Sequence, residues 1–165
     1  MKKLFLSAVL ALAGLCMGAA HAQAQRSGDI ELTNIAEMEV SVKTPDGKVE
    51  KKRQAVEKAI PGSEIIYTTT FRNVGKRVAN SISIVNPVPA NTTLVGGSSY
   101  GEQTEIAFSA DGGKTWASAD KVKVAGADGK QRPAGISEFT HIRWNYKGEL
   151  APGKQGAVGF RVTVN

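Results

Sequence analysis

Cysteine is almost absent: Cys16 is the only one in 165 residues. If the first 22 residues are removed, as argued below, the remaining chain holds none. It then has no disulfide to staple it and must be stabilised by a hydrophobic core. Histidine is nearly as scarce, with His21 and His141 alone. One histidine without cysteine does not make a common zinc site, and it leaves no choice of base for a Ser-His-Asp triad. The G-x-S-x-G nucleophile motif, the phosphate-binding loop and the dinucleotide fingerprint are all missing. Beyond residue 22 no long stretch repeats at 3.6 residues, so the chain lacks convincing helices. No catalytic, cofactor-binding or metal-ligating residue is expected.

What is present begins with an export pattern. Lys2 and Lys3 precede an apolar run at 4–20, which ends in Ala20-His21-Ala22. A charged start, an apolar centre and small residues at an A-x-A site make a secretory signal peptide. The expected cleavage follows Ala22, with cleavage after Ala24 as the alternative. The rival is a retained membrane anchor, but the run is near the lower length for a bilayer span and its flank is cleavable. Lipid attachment at Cys16 is disfavoured, because Leu15 rather than a small residue precedes it. The expectation is a signal peptide at 1–22 and an exported domain at 23–165, periplasmic or extracellular, with no membrane span after processing.

Removing 22 of the 165 residues leaves 143, which suits one domain burying about two-thirds of its unfolded surface. Taking Lys2 and Lys3 from the 21 basic residues leaves 19 against 15 acidic ones, a net charge of +4. That excess is ordinary for solubility, and it also suits anionic partners such as lipid headgroups or acidic polysaccharide.

Period-two alternation recurs throughout this part. Met38, Val40 and Val42 alternate with polar neighbours, as do Ile65, Tyr67, Thr69 and Phe71. Ile142, Trp144 and Tyr146 repeat the pattern, followed by Val158, Phe160, Val162 and Val164. Each such strand buries one face, and several of them separated by Gly, Pro, Asn and Asp predict a β-sandwich or barrel. Tyr67, Phe71, Trp144 and Phe160 fall on the apolar phase and are expected in the core. Pro45-Asp46-Gly47 predicts a hairpin between Val42 and Val49, and Asn73-Val74-Gly75-Lys76 a turn between two further strands. Residues 54–60 fit one helical turn or an edge strand. Residues 125–135, polar and rich in glycine, read as a mobile loop.

One stretch, 61–95, is more specific. Pro61-Gly62 leads into a strand centred on Tyr67, and Asn73 and Gly75 form the turn. Ala79-Asn80 then opens an Ile/Val run ending in Asn86, Pro89-Ala90 and Leu94. This pattern resembles the conserved-repeat domain of bacterial surface proteins, a family mostly of unknown function. A weaker echo lies at Trp144 and at Leu150-Ala151-Pro152-Gly153. The resemblance implies an immunoglobulin-like antiparallel β-sandwich, present here as a single copy. It transfers no catalytic residue, and the family usually carries Asp where this chain has Asn86.

The candidate contact residues are few. Lys51-Lys52-Arg53 is the densest basic run. It suits an anionic surface, or guards a sheet edge against aggregation. No aromatic interleaves it, so it offers nucleic-acid bases no stacking platform and no nucleic-acid partner is expected. Residues 109–116 match the S-x-D-x-G-x-T-W Asp-box hairpin. Asp111 there either braces the turn or contacts a glycan or Ca²⁺. A single box in a chain of this size cannot build a propeller. Tyr100, beside Gly96-Gly97-Ser98-Ser99, reads as an exposed binding aromatic or as packing beneath a loop.

Three functional readings follow. The first is a non-catalytic binding or scaffolding module of the cell envelope, contacting protein through a sheet edge or loops. The second is a module that binds carbohydrate or another envelope polymer around Tyr100 and Asp111. The third is a hydrolase using a carboxylate pair among Glu102, Glu105, Asp111, Asp120 and Asp128. The partner is accordingly a protein or an envelope polymer, with no cofactor.

Overall fold

A computed structural model describes the backbone of residues 23–27 and the whole of residues 29–165; the expected signal segment at 1–22, Cys16 included, lies outside the described residues. The first four strands are β1 (Gln23–Ser27), β2 (Ile30–Lys43), β3 (Val49–Ala55) and β4 (Glu64–Asn73). Next come β5 (Ser83–Pro87), β6 (Thr92–Leu94), β7 (Tyr100–Gly101) and β8 (Thr104–Ser109). β9 (Lys123–Ala125), β10 (Gln131–Pro133), β11 (His141–Tyr146) and β12 (Gln155–Val164) complete the chain. A 3₁₀ turn at Ile136–Glu138 is the only helical element among the described residues.

All pairings are antiparallel. The larger sheet has seven strands in the order β1-β2-β4-β12-β6, with β3 also on β2 and β7 on β12; the smaller sheet is β5-β11-β8. One core joins the two. Ile65 and Phe71 of β4, Leu94 of β6 and Val158, Phe160 and Val162 of β12 meet Ile84, Ile142 and Trp144 of the smaller sheet. The alternation read from the sequence supplies this face, since residues two apart in a strand share a side. The all-β layout is compatible with a β-sandwich.

Trp144 is fully buried, with its ring centroid 6.0 Å from that of Phe160. Phe160 in turn stacks on Tyr67 at 5.2 Å, and Phe71 meets Tyr146 edge-on at 5.3 Å. A polar link also crosses between the sheets. The Thr69 hydroxyl of β4 donates to Asn34 Oδ1 of β2 at 2.6 Å, and Asn86 Nδ2 of β5 donates to Thr69 Oγ1 at 2.7 Å.

The turns behave as their chemistry dictates. Buried Asn73 donates from Nδ2 to the carbonyls of Arg77 and Leu150, and its Oδ1 accepts from the Gly75 amide. Residues 54–60 continue β3 as far as Ala55 and are irregular beyond it. Of the stretch expected as a loop at 125–135, residues 126–130 and 134–135 are turn or irregular, while Ala125 and Gln131–Pro133 pair in the β9–β10 hairpin. Asp128 Oδ1 accepts from the Lys130 amide, and Gly129 takes a φ of 76°. Such an Asp-Gly turn lets the flanking residues pair.

Candidate functional site

The β2–β3 hairpin is open to solvent along the whole of β3. At its tip, Gly47 has φ 82°, a conformation that glycine adopts without a steric penalty. The Thr44 hydroxyl donates to Asp46 Oδ1 and lies 3.0 Å from the Lys48 carbonyl, to which the Thr44 amide donates at 2.8 Å. Every residue of β3 is exposed, Val49 at 62 %.

β3 pairs only with β2, so its far side is a sheet edge. The phase of that edge follows from the ladder. The Thr44 amide bonds Lys48, and at the other end the Val56 amide bonds Ala36 at 3.3 Å. Along an antiparallel pair, every second residue bonds the neighbouring strand. In the register Val42↔Glu50, Val40↔Lys52 and Met38↔Gln54, the even-numbered residues of β3 face β2 with their backbone groups. Val49, Lys51, Arg53 and Ala55 turn their N–H and C=O groups outward.

The basic run sits on this edge. Lys51 and Arg53 share the outer face with Glu39, and each cation lies 3.9 Å from its carboxylate. Lys52 projects from the opposite face, beside Val40, and makes no ion pair among the described residues. Glu39 is claimed more closely by Arg161 of β12, whose guanidinium bonds Glu39 at 3.0 Å and Glu64 at 2.8 Å. The Arg161 bond holds the Glu39 carboxyl below its usual range, and Lys51 and Arg53 add to the effect. To reach β2 from β12 the guanidinium must cross β4. There Ile66 lies in register between Glu37 and Arg161 and is only 1 % exposed, although it is on the outer face. The sequence reading missed this clamp, because Arg161 reads simply as a polar residue on an outer phase.

Tyr100 occupies a different place. It pairs with Gly159, and its hydroxyl lies 3.1 Å from Thr68 Oγ1 across β12. A Cβ at position 159 would sit 2.5–2.6 Å from atoms of the Tyr100 side chain, so the ring lies directly on the glycine backbone. The side chain is 42 % exposed and closes an outer-face row of Ile35, Thr68, Gly159 and Tyr100. It is therefore a surface aromatic laid on a sheet, not one tucked beneath a loop.

Asp111 is engaged within its own turn. Its Oδ1 accepts from Ser109 Oγ at 2.7 Å, from the Lys114 amide at 3.0 Å and from the Thr115 amide at 2.9 Å. Its Oδ2 accepts from Thr115 Oγ1 at 2.6 Å. These donors, the Thr115 hydroxyl first, hold the carboxyl far below the usual range. Gly112 and Gly113 supply positive φ, and the Phe108–Ala117 bridge closes the hairpin. Trp116 is half-buried beneath Gly113, with the Arg143 guanidinium 4.6 Å from its ring centroid and His141 edge-on at 6.5 Å. An open cleft of about 680 Å³ runs from Asp111 and Trp116 to Lys121, Lys123 and Gln131.

The structure thus puts Lys51, Lys52 and Arg53 on one strand, with Lys52 on the face opposite the other two, and sets Tyr100 on the larger sheet and Asp111 in the turn after β8. The dispersed carboxylates do not converge either. Glu105 pairs with Lys147 at 2.6 Å, Asp128 braces its hairpin, and Asp120 bonds Ser118. The carboxylates that do converge, Glu39 and Glu64, meet on Arg161. No cluster of three or more His, Cys, Asp or Glu side chains suited to a metal occurs among the described residues. Comparison with protein-family models, with curated proteins and with solved structures finds no match.

Proposed function

We propose that this chain is an exported, immunoglobulin-like member of the conserved-repeat family of bacterial surface proteins. In this reading it acts as a non-catalytic binding or scaffolding module of the cell envelope and contacts protein through a sheet edge. The observation that carries it is β3, an edge strand exposed along all seven residues on a hairpin that ends in a well-formed turn. Such an edge recognises an extended segment by adding it to the sheet. The antiparallel sheets, the buried Trp144 and the 61–95 pattern support the immunoglobulin-like assignment.

The test is Lys51→Pro. Proline removes an outward N–H while leaving the bonds to β2 in place, a substitution an edge strand tolerates. The variant should keep the melting temperature of the parent and lose the protein that the parent captures from envelope extract. Undiminished capture by a folded Lys51→Pro protein refutes the reading.

Tyr100 favours a second reading, a module for carbohydrate or another envelope polymer. An exposed ring whose hydroxyl meets Thr68 Oγ1 offers a sugar a stacking face beside a hydroxyl partner. Gly159→Ala displaces that ring without touching the core. Unchanged retention of this variant on envelope polysaccharide removes the second reading. The hydrolase reading gains nothing from the Glu39–Glu64 pair, whose carboxylates are both engaged by Arg161.

A further inference from the structure

We infer that the partner of β3 is an acidic extended segment of another protein, added antiparallel to the Val49–Ala55 edge. The inference rests on the sheet-edge reading above and names the chemistry of its occupant.

The argument starts from the phase of the edge. An incoming strand would exchange backbone bonds with Val49, Lys51, Arg53 and Ala55, whose groups point outward. Its side chains would then stand directly opposite those of β3, where opposite charges attract and like charges repel. From N- to C-terminus an antiparallel partner meets Arg53, Lys52, Lys51, Glu50 and Val49 in turn. The complementary order is three acidic residues, one neutral or basic residue, then an apolar one. Lys51 and Arg53 would face acids on one side of the new strand, and Lys52 on the other.

Charge also argues against a second copy of this chain. In the full-overlap antiparallel register, β3 against β3 sets Lys52 opposite Lys52 and Lys51 opposite Arg53. Glu39 offsets the edge only in part, because its one carboxylate is shared among Arg161 at 3.0 Å and Lys51 and Arg53 at 3.9 Å, and Lys52 stands on the other face. The net positive charge of the chain draws an acidic partner and repels a copy.

The experiment uses a capped peptide, TVEEEKV, titrated into the exported protein and followed by calorimetry and by amide NMR shifts. The expected result is saturable binding with shifts concentrated on residues 49–55. It should be lost when the amides facing β3 are N-methylated, and absent for the charge-reversed peptide TVKKKEV. Lys52→Glu should weaken binding by about tenfold or more. Lys51→Thr combined with Arg53→Thr, which adds no charge beside Glu39, should do the same. Equal binding of the N-methylated peptide would mean a diffuse charge contact and overturns strand addition. Failure of TVEEEKV to bind overturns the acidic class, as does a concentration-dependent dimer that Lys51→Pro dissociates. If TVEEEKV fails while Lys51→Pro still abolishes capture from envelope extract, this inference falls and the edge reading stands. If capture survives Lys51→Pro as well, both fall.

Discussion

Asn86→Asp is the smallest change that tests the polar link between the sheets. The Thr69 hydroxyl has one proton, and it goes to Asn34 Oδ1 at 2.6 Å. Thr69 Oγ1 must therefore accept from position 86, and Asn86 does so by donating from Nδ2 at 2.7 Å. A carboxylate has no proton to donate. With Asp at 86, two acceptors compete for one hydroxyl proton. Either the new carboxylate or Asn34 Oδ1 is stranded, beside a threonine that is only 1 % exposed. Stranding a buried acceptor costs about 1–3 kcal/mol. Position 86 is half-buried, so water reaches the new charge and the lower half of that range applies. A loss of about 1–2 kcal/mol lowers Tm by about 3–8 °C in a domain of this size. Thermal unfolding followed by circular dichroism at pH 7 reads this directly. The same experiment in acid supplies an internal control. Below about pH 4 the new carboxyl is protonated and again carries a donor, so the gap to the parent protein narrows. A variant melting within about 1 °C of the parent at pH 7, or a gap that widens in acid, refutes the described network.

Trp144→Ala removes a fully buried ring from between the sheets and should cost about 3–5 kcal/mol by chemical denaturation; an unchanged midpoint contradicts the packing. Asp111→Ala should lower Tm at neutral pH. Because the Asp111 carboxyl titrates below its unfolded value, its contribution is complete above about pH 4 and is lost as pH falls further, so the parent and variant curves converge only in strong acid. Intact-mass analysis of exported protein should show a chain beginning at Gln23, with cleavage after Ala24 as the alternative; a retained Met1 or a diacylglycerol adduct on Cys16 refutes the expected processing.

The strands that build the core were legible because they obey one simple periodicity. Ile65 to Phe71, Ile142 to Tyr146 and Val158 to Val164 each alternate cleanly, and each buries the predicted face. The Pro45-Asp46-Gly47 turn was legible for the same local reason. What escaped depends on register between strands distant in sequence. Ile66 is buried on an outer face because β12 sets Arg161 beside it and β2 brings Glu39 within reach. Tyr100 finds its seat because β12 places a glycine at 159 to receive the ring. β6 and β7 have three and two residues and are too short to show any period. The β9–β10 hairpin was hidden by the composition of its surroundings, since only Asp128-Gly129 separates a turn from an unstructured stretch. The basic edge was visible as a run, but its outward phase needed the ladder on β2.

β2 carries a mechanical consequence. Its 14 residues run without a break from the body of the larger sheet to the hairpin tip, roughly 45 Å at the usual rise per residue. β4 grips its first half and β3 its second, with both ladders lying across the strand axis. A pull along β3 would therefore reach the domain as shear, loading many backbone bonds at once. A pull at right angles would open the hairpin from its tip, one pair at a time. The same arm would be stiff along one direction and compliant along the other.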